Sequence, residues 1–244
     1  MENPISAKAS AGTKTGKPAL SAGRYFKYAI GEIILVVIGI LIALQINNWN
    51  EKTKLKTEEI KLLTELKSAL ISDKEDIKSN IGEHASTANS ISILLEHLSN
   101  QLPYNDSLDF HFANALNTTR FAHTSSPYET LKIKGPDLIE NDSLRVMLGD
   151  YYDKHVGYQF ELQELSLENF NLAKERQFEL FTSLRFWDKM KPVDYNLLVK
   201  NTYYNSWLTL TEGMRKWEVK KFRILNEKNE QLLNLINNEI DKSK

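Results

Sequence analysis

Hydrophobic residues follow one another almost without interruption between Ala29 and Ile46. At a rise of about 1.5 Å per residue, a helix of this length crosses a hydrocarbon core of about 30 Å. Aromatic side chains, which favour the headgroup level of a bilayer, flank the run on both sides: Tyr25, Phe26, Tyr28 and Trp49. We therefore predict a transmembrane helix over residues 25–49.

Two other interpretations of the apolar run have less support. A cleavable signal peptide needs small residues at a cleavage site directly after its apolar core, but here the core continues into LQINNWNE. A buried helix of a soluble domain is seldom apolar on every face with aromatic residues at both ends. Both stand as alternatives to a membrane anchor.

After the apolar run, a residue suited to a buried position recurs every seven residues. The positions of this heptad stripe are Leu63, Leu70, Ile77, His84, Ile91 and Leu98. No proline interrupts the chain between Ala19 and Leu102, so the stripe predicts one helix from about Glu51 to Asn100. We expect His84 to be a satisfied polar residue of this stripe rather than a metal ligand.

Further helical patterns follow, separated by prolines. Ser126 and Glu129 have the spacing of a capping box, which predicts a short helix over residues 126–134. A long pattern then runs from residue 144 to about Trp187. The last predicted helix follows Pro192, and its apolar positions are Trp207, Leu210, Met214, Trp217, Ile224, Leu232, Ile236 and Ile240.

No segment of the chain shows the alternation of a strand. We predict an all-α fold in which an N-terminal transmembrane helix is followed by an antiparallel bundle of long helices with coiled-coil character. The predicted domains are a disordered basic tail over residues 1–24, the transmembrane helix over 25–49, and a helical extramembrane domain over 50–244.

Charge separates the N-terminal tail from the rest. The formal net charge is −1, which gives no reason to expect a nucleic-acid partner. Up to the apolar run, Glu2 is the one acidic residue, against the basic residues Lys8, Lys14, Lys17, Arg24 and Lys27. A short basic tail favours the cytoplasm, whereas the charge of a long domain hardly affects its translocation. We therefore predict a cytoplasmic N-terminus and a translocated C-terminal domain.

One face of the predicted span carries small and polar residues. Its members recur every three or four positions and are Glu32, Val36, Gly39, Ala43 and Asn47. Gly39 and Ala43 have the spacing at which two transmembrane helices approach closely, so we predict a contact face for another such helix. The alternatives are a chance pair of small residues and a Glu32 carboxylate that reaches the headgroups.

Residues with catalytic or ligating chemistry are not grouped in a spacing that indicates a site. The histidines form no pair at three or four residues, and the chain lacks GxSxG, a phosphate-binding glycine loop and a dinucleotide fingerprint. Without cysteine, it has neither disulfides nor thiolate chemistry. We predict no catalytic, cofactor-binding or metal site, and no cofactor. The charged runs EKTKLKTEE and DKEDIK are predicted to be solvated helix faces.

Aromatic residues are frequent in the two late long helices. They include Tyr151, Tyr152, Tyr158, Phe160, Trp187, Tyr203, Tyr204, Trp207 and Trp217. Core packing between the two helices is the simpler explanation for these rings. A ligand pocket lined by them is the alternative.

Two segments resemble a known family. YAIGEIILVVIGILIALQINNWNE, residues 28–51, resembles the N-terminal signature of an uncharacterised family of single-pass bacterial membrane proteins, best known from Bacteroidota-type Gram-negative bacteria. SPYETLKIKGPDLIENDSLRVMLGDYY, residues 126–152, resembles the family's Y-E-T-L motif, glycine turn and tyrosine-ended helix, although the turn reads KIKG where the family usually has a sequence closer to KSSG. The final LLNLINNEID is similar to the family's closing helix. The resemblance implies an anchored helical domain in the periplasm and carries no catalytic residues.

These patterns together predict a single-pass protein of the bacterial inner (cytoplasmic) membrane. The lipid bilayer is one expected partner, and a second copy or another membrane protein is the next. An interaction or scaffolding role at the cell envelope is the leading hypothesis. A periplasmic sensory or ligand-binding helical bundle is the alternative, and an enzyme ranks third.

Overall fold

A computed structural model describes residues 22–182, 184, 185 and 188–243. The described residues divide into two compact units, one ending at Lys54 and one beginning at Leu55. Helix α1 begins at Ala22, so residues 22–24 are helical rather than part of the predicted disordered tail. The rest of that tail lies outside the described residues.

Helices account for nearly all regular structure in the described part of the chain. They are α1 (Ala22–Ser99), α2 (Leu108–Asn114), α3 (Ser126–Lys134), α4 (Asp142–Gly149), α5 (Gly157–Leu180), α6 (Tyr195–Val199) and α7 (Thr202–Asp241). A 3-10 turn covers Pro136–Leu138, and a π-helical segment over Asp150–Val156 joins α4 to α5. The only β-type pairing among these residues is an isolated bridge between Phe181 and Pro192. The prediction of an all-α fold is confirmed.

Local sequence signals fix the ends of α3 and α4. Helix α3 has the predicted bounds, and Gly135 ends it with a φ of 101°, a conformation that favours glycine. The predicted capping box is wrong, because Ser126 is already helical and the preceding Ser125 makes no side-chain cap. Helix α4 does have a side-chain cap, since Asn141 Oδ1 accepts a hydrogen bond of 3.1 Å from the backbone N–H of Leu144.

The long helical pattern ends earlier than the sequence predicts. Helix α5 stops at Leu180, and Phe181 is extended. The chain then pairs with a returning segment: Thr182 N donates to Lys191 O at 2.9 Å, and Val193 N donates to Leu180 O at 2.9 Å. These partners satisfy backbone groups that another helical turn would otherwise have paired. Trp187, the predicted end, lies outside the described residues.

The heptad stripe of α1 is buried along its whole length, as predicted. Its residues belong to two hydrophobic clusters in the second unit. The first joins α1 from Leu62 to Ile77 with α3, α4, the π-helical segment and the part of α7 beyond Phe222. The second joins α1 from Ile91 to Leu98 with α2, α6 and the start of α7. His84 lies between the two clusters.

Contacts between α1 and α7 follow the inverse order along the two helices. Asn229 Nδ2 donates to Leu70 O at 3.0 Å, and Glu218 Oε2 lies 3.2 Å from His84 Nδ1. Further along α1, Ser92 donates to the carboxylate of Glu212. Positions thus rise along α1 as they fall along α7, which means that these two helices run in opposite directions.

Candidate functional site

A layer of buried polar side chains separates the two hydrophobic clusters. This polar layer consists of Asn80, His84 and Thr87 of α1, Ser166 and Asn169 of α5, and Thr211, Arg215 and Glu218 of α7. Buried polar groups cost free energy unless they are hydrogen-bonded, so their partners decide what the layer contributes.

Glu218 lies at the centre of the polar layer. Its Oε2 is 2.7 Å from Arg215 Nη1 and 3.2 Å from His84 Nδ1, while Oε1 accepts a hydrogen bond from Ser166 Oγ. Arg215 Nη1 also donates to Ser166 Oγ at 2.9 Å, which joins α5 to the pair. One carboxylate therefore links three helices.

The network continues from His84 to the segment that follows α2. Thr119 Oγ1 lies 3.1 Å from His84 Nε2 and donates to Asn80 Oδ1. Both imidazole nitrogens thus have polar neighbours, so His84 is a satisfied buried residue as predicted. Burial lowers the pKa of His84 to about 4, against the attraction of Glu218, and Arg215 lowers it further.

The space beside the polar layer is small. A cavity of about 10 Å³ touches His84, Thr119, Gln159 and Glu218, and this is close to the volume that one water molecule needs. A substrate does not fit there. The buried charged pair favours one alignment of the helices, because a shift of α7 along its neighbours would leave the Arg215 and Glu218 charges without partners.

A second set of polar residues on α1 holds the segment 117–124. Asp73 Oδ1 accepts from Thr124 N at 2.8 Å, and Asp76 Oδ2 accepts from Ala122 N at 3.0 Å. Glu83 Oε2 accepts from Asn117 Nδ2 at 2.8 Å. With Asn80, these acceptors form a row along one side of α1, which we call the acceptor row.

The acceptor row corrects one prediction. EKTKLKTEE and DKEDIK were both expected to be solvated faces, but Glu59, the last residue of the first run, and Asp73, the first residue of the second, are buried. Burial raises the pKa of Asp73 to about 6, although hydrogen bonds from the Thr124 N–H and the Tyr151 hydroxyl oppose the shift. Asp76 of the same run is half-buried and accepts from Ala122 N, whereas Glu75 and Lys78 lie on the surface as expected, with Lys78 Nζ 3.0 Å from Glu75. The position of Asp73, four residues before Ile77 of the buried stripe, was the available signal.

The buried face of α7 agrees with the predicted one only in part. Trp207, Leu232 and Ile236 of the predicted line are buried. Between Trp207 and Leu232, however, the buried face passes through Leu208, Thr211, Arg215, Glu218 and Phe222, and the predicted residues Leu210, Met214, Trp217 and Ile224 lie to one side. Polar residues of the polar layer occupy the middle of the buried face of α7. A prediction based on hydrophobicity alone therefore selected the neighbouring face of the helix. Leu208, Phe222 and Leu225 share a face at helical spacing and were the signal that could have located it.

The aromatic residues do not gather around one pocket. Tyr151 and Tyr152 belong to the first hydrophobic cluster, and Tyr204 and Trp207 belong to the second. Phe160, Tyr203 and Trp217 are exposed, and Tyr158 is half-buried. Trp187 lies outside the described residues. Core packing accounts for four of the described rings, and the other four described rings are exposed or half-buried.

The apolar run lies in the first unit as the N-terminal part of α1. Among the described residues, this is the one helix that is long and apolar enough to cross a membrane by length and composition, and its most apolar stretch is not buried. All five residues of the predicted contact face, Glu32, Val36, Gly39, Ala43 and Asn47, are exposed. A Cβ at Gly39 would have no atom within 4 Å. The contact face therefore stays a prediction.

Metal-binding side chains are scattered over the part of the chain that the structure describes. Three or more His, Cys, Asp or Glu residues do not come together there in a group that could hold an ion.

Residues 32–204 match the family of unknown function DUF6090. The chain belongs to this family. No curated protein matches it significantly, and no solved structure does either. The region that defines the DUF6090 family begins at Glu32, inside the apolar run, and ends at Tyr204, near the start of α7. Most of the apolar run is thus part of the DUF6090 domain, together with the acceptor row and the segment that it holds.

Proposed function

We propose that this DUF6090 protein is a membrane-anchored helical protein with an interaction or scaffolding role at the cell envelope. The observation that carries the proposal is the exposure of α1 from Ile33 to Leu44, where every side chain faces solvent. Apolar surface in water costs roughly 25 cal/mol per Å². A hydrocarbon environment removes this cost along the entire run and matches its length.

The second unit supports the interaction part of the proposal. Its long helices fit an antiparallel bundle with coiled-coil character, because α1 and α7 run in opposite directions and the heptad stripe of α1 is buried. The polar layer has room for about one water molecule, and the aromatic rings are divided between two clusters and the surface. Neither feature favours the sensory or ligand-binding alternative.

The proposed location is the inner membrane of a bacterium, with the N-terminus in the cytoplasm and the second unit in the periplasm. Lys and Arg are about equally frequent within about 20 residues of the two ends of the span. The support for this orientation is therefore the short, almost purely basic tail on one side and the long domain on the other, whose charge hardly affects its translocation. The resemblance to single-pass bacterial membrane proteins also supports it. The lipid bilayer is then the first partner of the chain.

Membrane anchoring is tested by extraction of cell membranes with alkaline carbonate. The wild-type chain should stay with the membranes, whereas a variant with Ile38→Asp and Ile42→Asp should appear in the soluble fraction, because each charge at the centre of a span costs about 2.5–3.5 kcal/mol. Ile133→Asp, at an exposed position of α3, is the matched control and should stay membrane-bound. Release of the wild-type chain by carbonate would overturn the anchor.

Orientation is tested by fusion of a phosphatase that is active only outside the cytoplasm. Fused to the C-terminus, it should be active, and a fusion to the N-terminus should be inactive. The opposite result would place the second unit in the cytoplasm without affecting the anchor.

A further inference from the structure

The adjoining outer edges of α5 and α7 carry two rows of large side chains. On α5 the row is Tyr158, Leu165 and Leu172, and on α7 it is Trp217, Leu210 and Tyr203. Within each row the spacing is seven residues, so each row keeps to one face of its helix.

The two rows are matched along the helices. At one end, Trp217 Nε1 donates to Tyr158 Oη at 3.1 Å. At the other end, Tyr203 Oη donates to Leu172 O at 3.2 Å. Leu165 and Leu210 lie between these pairs and line an apolar groove of about 460 Å³. We call this surface the α5/α7 groove.

The side chains of the groove are apolar but uncovered. The exposed fractions are 68% for Leu172, 59% for Leu210, 53% for Leu165 and 42% for Trp217. Gly213 adds to the groove, since a Cβ there would have no atom within 4 Å. Contiguous exposed apolar surface of this kind is typical of interaction sites, whereas isolated exposed residues are not. Two parallel ridges with heptad spacing fit the side chains of one further helix.

Acidic residues line one side of the groove, and basic residues lie at its two ends. The Arg176 guanidinium is 6.0 Å from the ring centroid of Tyr203, and Lys221 Nζ is 4.7 Å from that of Tyr158. The exposed residues Glu161, Glu164, Glu168 and Glu175 follow the outer side of the α5 row. None of these four carboxylates is in an ion pair with another described residue. The α7 side carries the small uncharged residues Ser206, Thr209 and Gly213 along the same stretch. A helix bound in the groove would therefore have acidic side chains along its α5 flank and small uncharged side chains along its α7 flank.

We propose that the α5/α7 groove binds an amphipathic helix of a partner protein. The bound helix has apolar residues at heptad spacing and Lys or Arg along the flank that faces α5, because opposite charges on flanking positions set the orientation and choice of partner. The proposal rests on the interaction role proposed above and specifies the chemistry of the partner.

A second copy that docks through its own α5/α7 groove complements the acidic row less well than a basic helix does. The basic residues of α7 are gathered at the Trp217 end, where Lys220 Nζ and Lys221 Nζ lie 5.3 Å and 4.6 Å from the ring centroid of Trp217. The acidic row, in contrast, extends along α5 from Glu161 to Glu175. Two grooves that face each other therefore leave most of this row without an opposite charge.

A designed peptide tests the recognition chemistry directly. The probe is a fluorescent amphipathic helix with leucine at heptad positions and lysine on one flank, and its twin carries glutamate in place of lysine. Binding to the full chain in nanodiscs of zwitterionic lipid is measured by fluorescence anisotropy, with empty nanodiscs as the blank. The lysine peptide should bind saturably, at least about tenfold more tightly than its twin, and more weakly as salt rises. Equal binding of both peptides would overturn the charge assignment.

Variants of the chain locate the binding surface. The pair Leu165→Glu and Leu210→Glu should weaken peptide binding about tenfold or more, since it places charge in the apolar floor. The pair Glu161→Gln and Glu168→Gln should weaken binding less and flatten its salt dependence. Leu197→Glu, at a leucine of α6 that is 69% exposed, is the matched control and should bind like wild type. All replaced side chains are exposed, and far-UV circular dichroism verifies that the helices persist. Unchanged binding by the Leu165→Glu, Leu210→Glu variant would refute the groove.

Crosslinking in cells separates this inference from the wider interaction role. A photoreactive amino acid is placed at Leu165 or Leu210, and at Ile133 for comparison. Groove crosslinks to a basic amphipathic helix of another protein support the inference. Crosslinks at Ile133 alone, or groove crosslinks to a second copy, overturn it while the interaction role stands. No crosslinked protein at any of the three positions counts against both proposals.

Discussion

His84 Nδ1 of α1 lies 3.2 Å from Glu218 Oε2 of α7, and only 4% of each residue is exposed. Arg215 contacts the same carboxylate oxygen at 2.7 Å. A titratable imidazole therefore lies between the two hydrophobic clusters, next to a buried charged pair. The stability of the second unit should respond to pH and to the loss of either charge.

Acid should destabilise the fold through His84. Burial holds its folded pKa at about 4, below the ordinary value of 6.5. Between these two values the unfolded chain binds a proton that the folded chain does not, so the free energy of unfolding falls as pH decreases, by up to about 1.4 kcal/mol per pH unit. Urea denaturation of wild type and His84→Gln at pH 7.5, 5.5 and 4.5 measures the effect. A difference between the two proteins that stays constant with pH would contradict it.

Asp73 should act in the opposite direction. Its folded pKa is about 6 against an ordinary 3.8, so between these values the folded chain keeps a proton that the unfolded chain releases. The contribution of Asp73 to stability therefore improves as pH falls from 6 to 4. Asp73→Asn is uncharged at every pH and keeps an acceptor for Thr124 N. Relative to wild type, its unfolding free energy should be higher at pH 7.5 than at pH 4.5, and the reverse trend would exclude this account.

Loss of one partner of the buried pair should cost more than loss of both. Glu218→Met leaves the Arg215 charge buried and should lower the free energy of unfolding by about 3–5 kcal/mol. In the double variant Arg215→Met, Glu218→Met the loss should be smaller, because neither charge is left unpaired. Glu75→Met breaks only a surface pair with Lys78 and should cost less than about 1 kcal/mol. Chemical denaturation compares these variants with the single variant Arg215→Met. A loss of unfolding free energy in the double variant equal to the sum of the two single losses would argue against the pair.

Neighbouring residues of α1 should differ sharply in their contribution. Leu70 is fully buried in the first cluster, whereas Ile71 is 49% exposed. Leu70→Ala leaves a cavity and should lower the free energy of unfolding by about 2–5 kcal/mol. Ile71→Ala should change it by no more than about 0.5 kcal/mol. Similar losses in denaturation experiments would mean that the stripe is not the packed face.

The predicted contact face of the span is open to a direct test. If the chain self-associates through Gly39 and Ala43, Gly39→Ile should lower the mass of the detergent-solubilised protein, because the added side chain prevents close approach. Val37→Ile adds bulk on the opposite side of the helix and should leave the mass unchanged. Light scattering measures both variants. A mass that Gly39→Ile does not alter would remove this face as the route of self-association.

The seven-residue periodicity predicted the heptad stripe of α1. It did not predict which helix faces are covered by other helices. Leu70 and Leu165 both belong to rows with seven-residue spacing, yet Leu70 is buried and Leu165 is exposed. The spacing shows only that the members of a row share one side of a helix. Whether another helix lies over that side depends on the fold of the whole chain.

The hydrogen bonds of the acceptor row and of the polar layer could not be predicted from the sequence pattern, for a related reason. Asp76 and Glu75 are adjacent carboxylates in one charged run, and the sequence does not distinguish them. In the structure, however, Asp76 accepts from the backbone N–H of Ala122, whereas Glu75 is on the surface. Their partners are set by where the segment 117–124 returns to α1. The burial of Arg215 and Glu218 was not predicted, because a hydropathy pattern assigns charged residues to the surface.

The acceptor row also has a consequence for the order in which the chain assembles. Its contacts join residues 34 to 51 positions apart, whereas the contacts of α7 with Ser92 and Leu70 join residues 120 and 159 positions apart. Short loops close at a lower entropic cost, and the ribosome delivers α7 last. A nascent chain can thus dock its middle segment on α1 while the other side of that helix still lacks its cover. Arg215 and Glu218, the charges that complete the polar layer, belong to α7. A chain in which α7 has not yet docked therefore has His84 in contact with Thr119 but not with the Glu218 carboxylate, and one face of α1 is still uncovered.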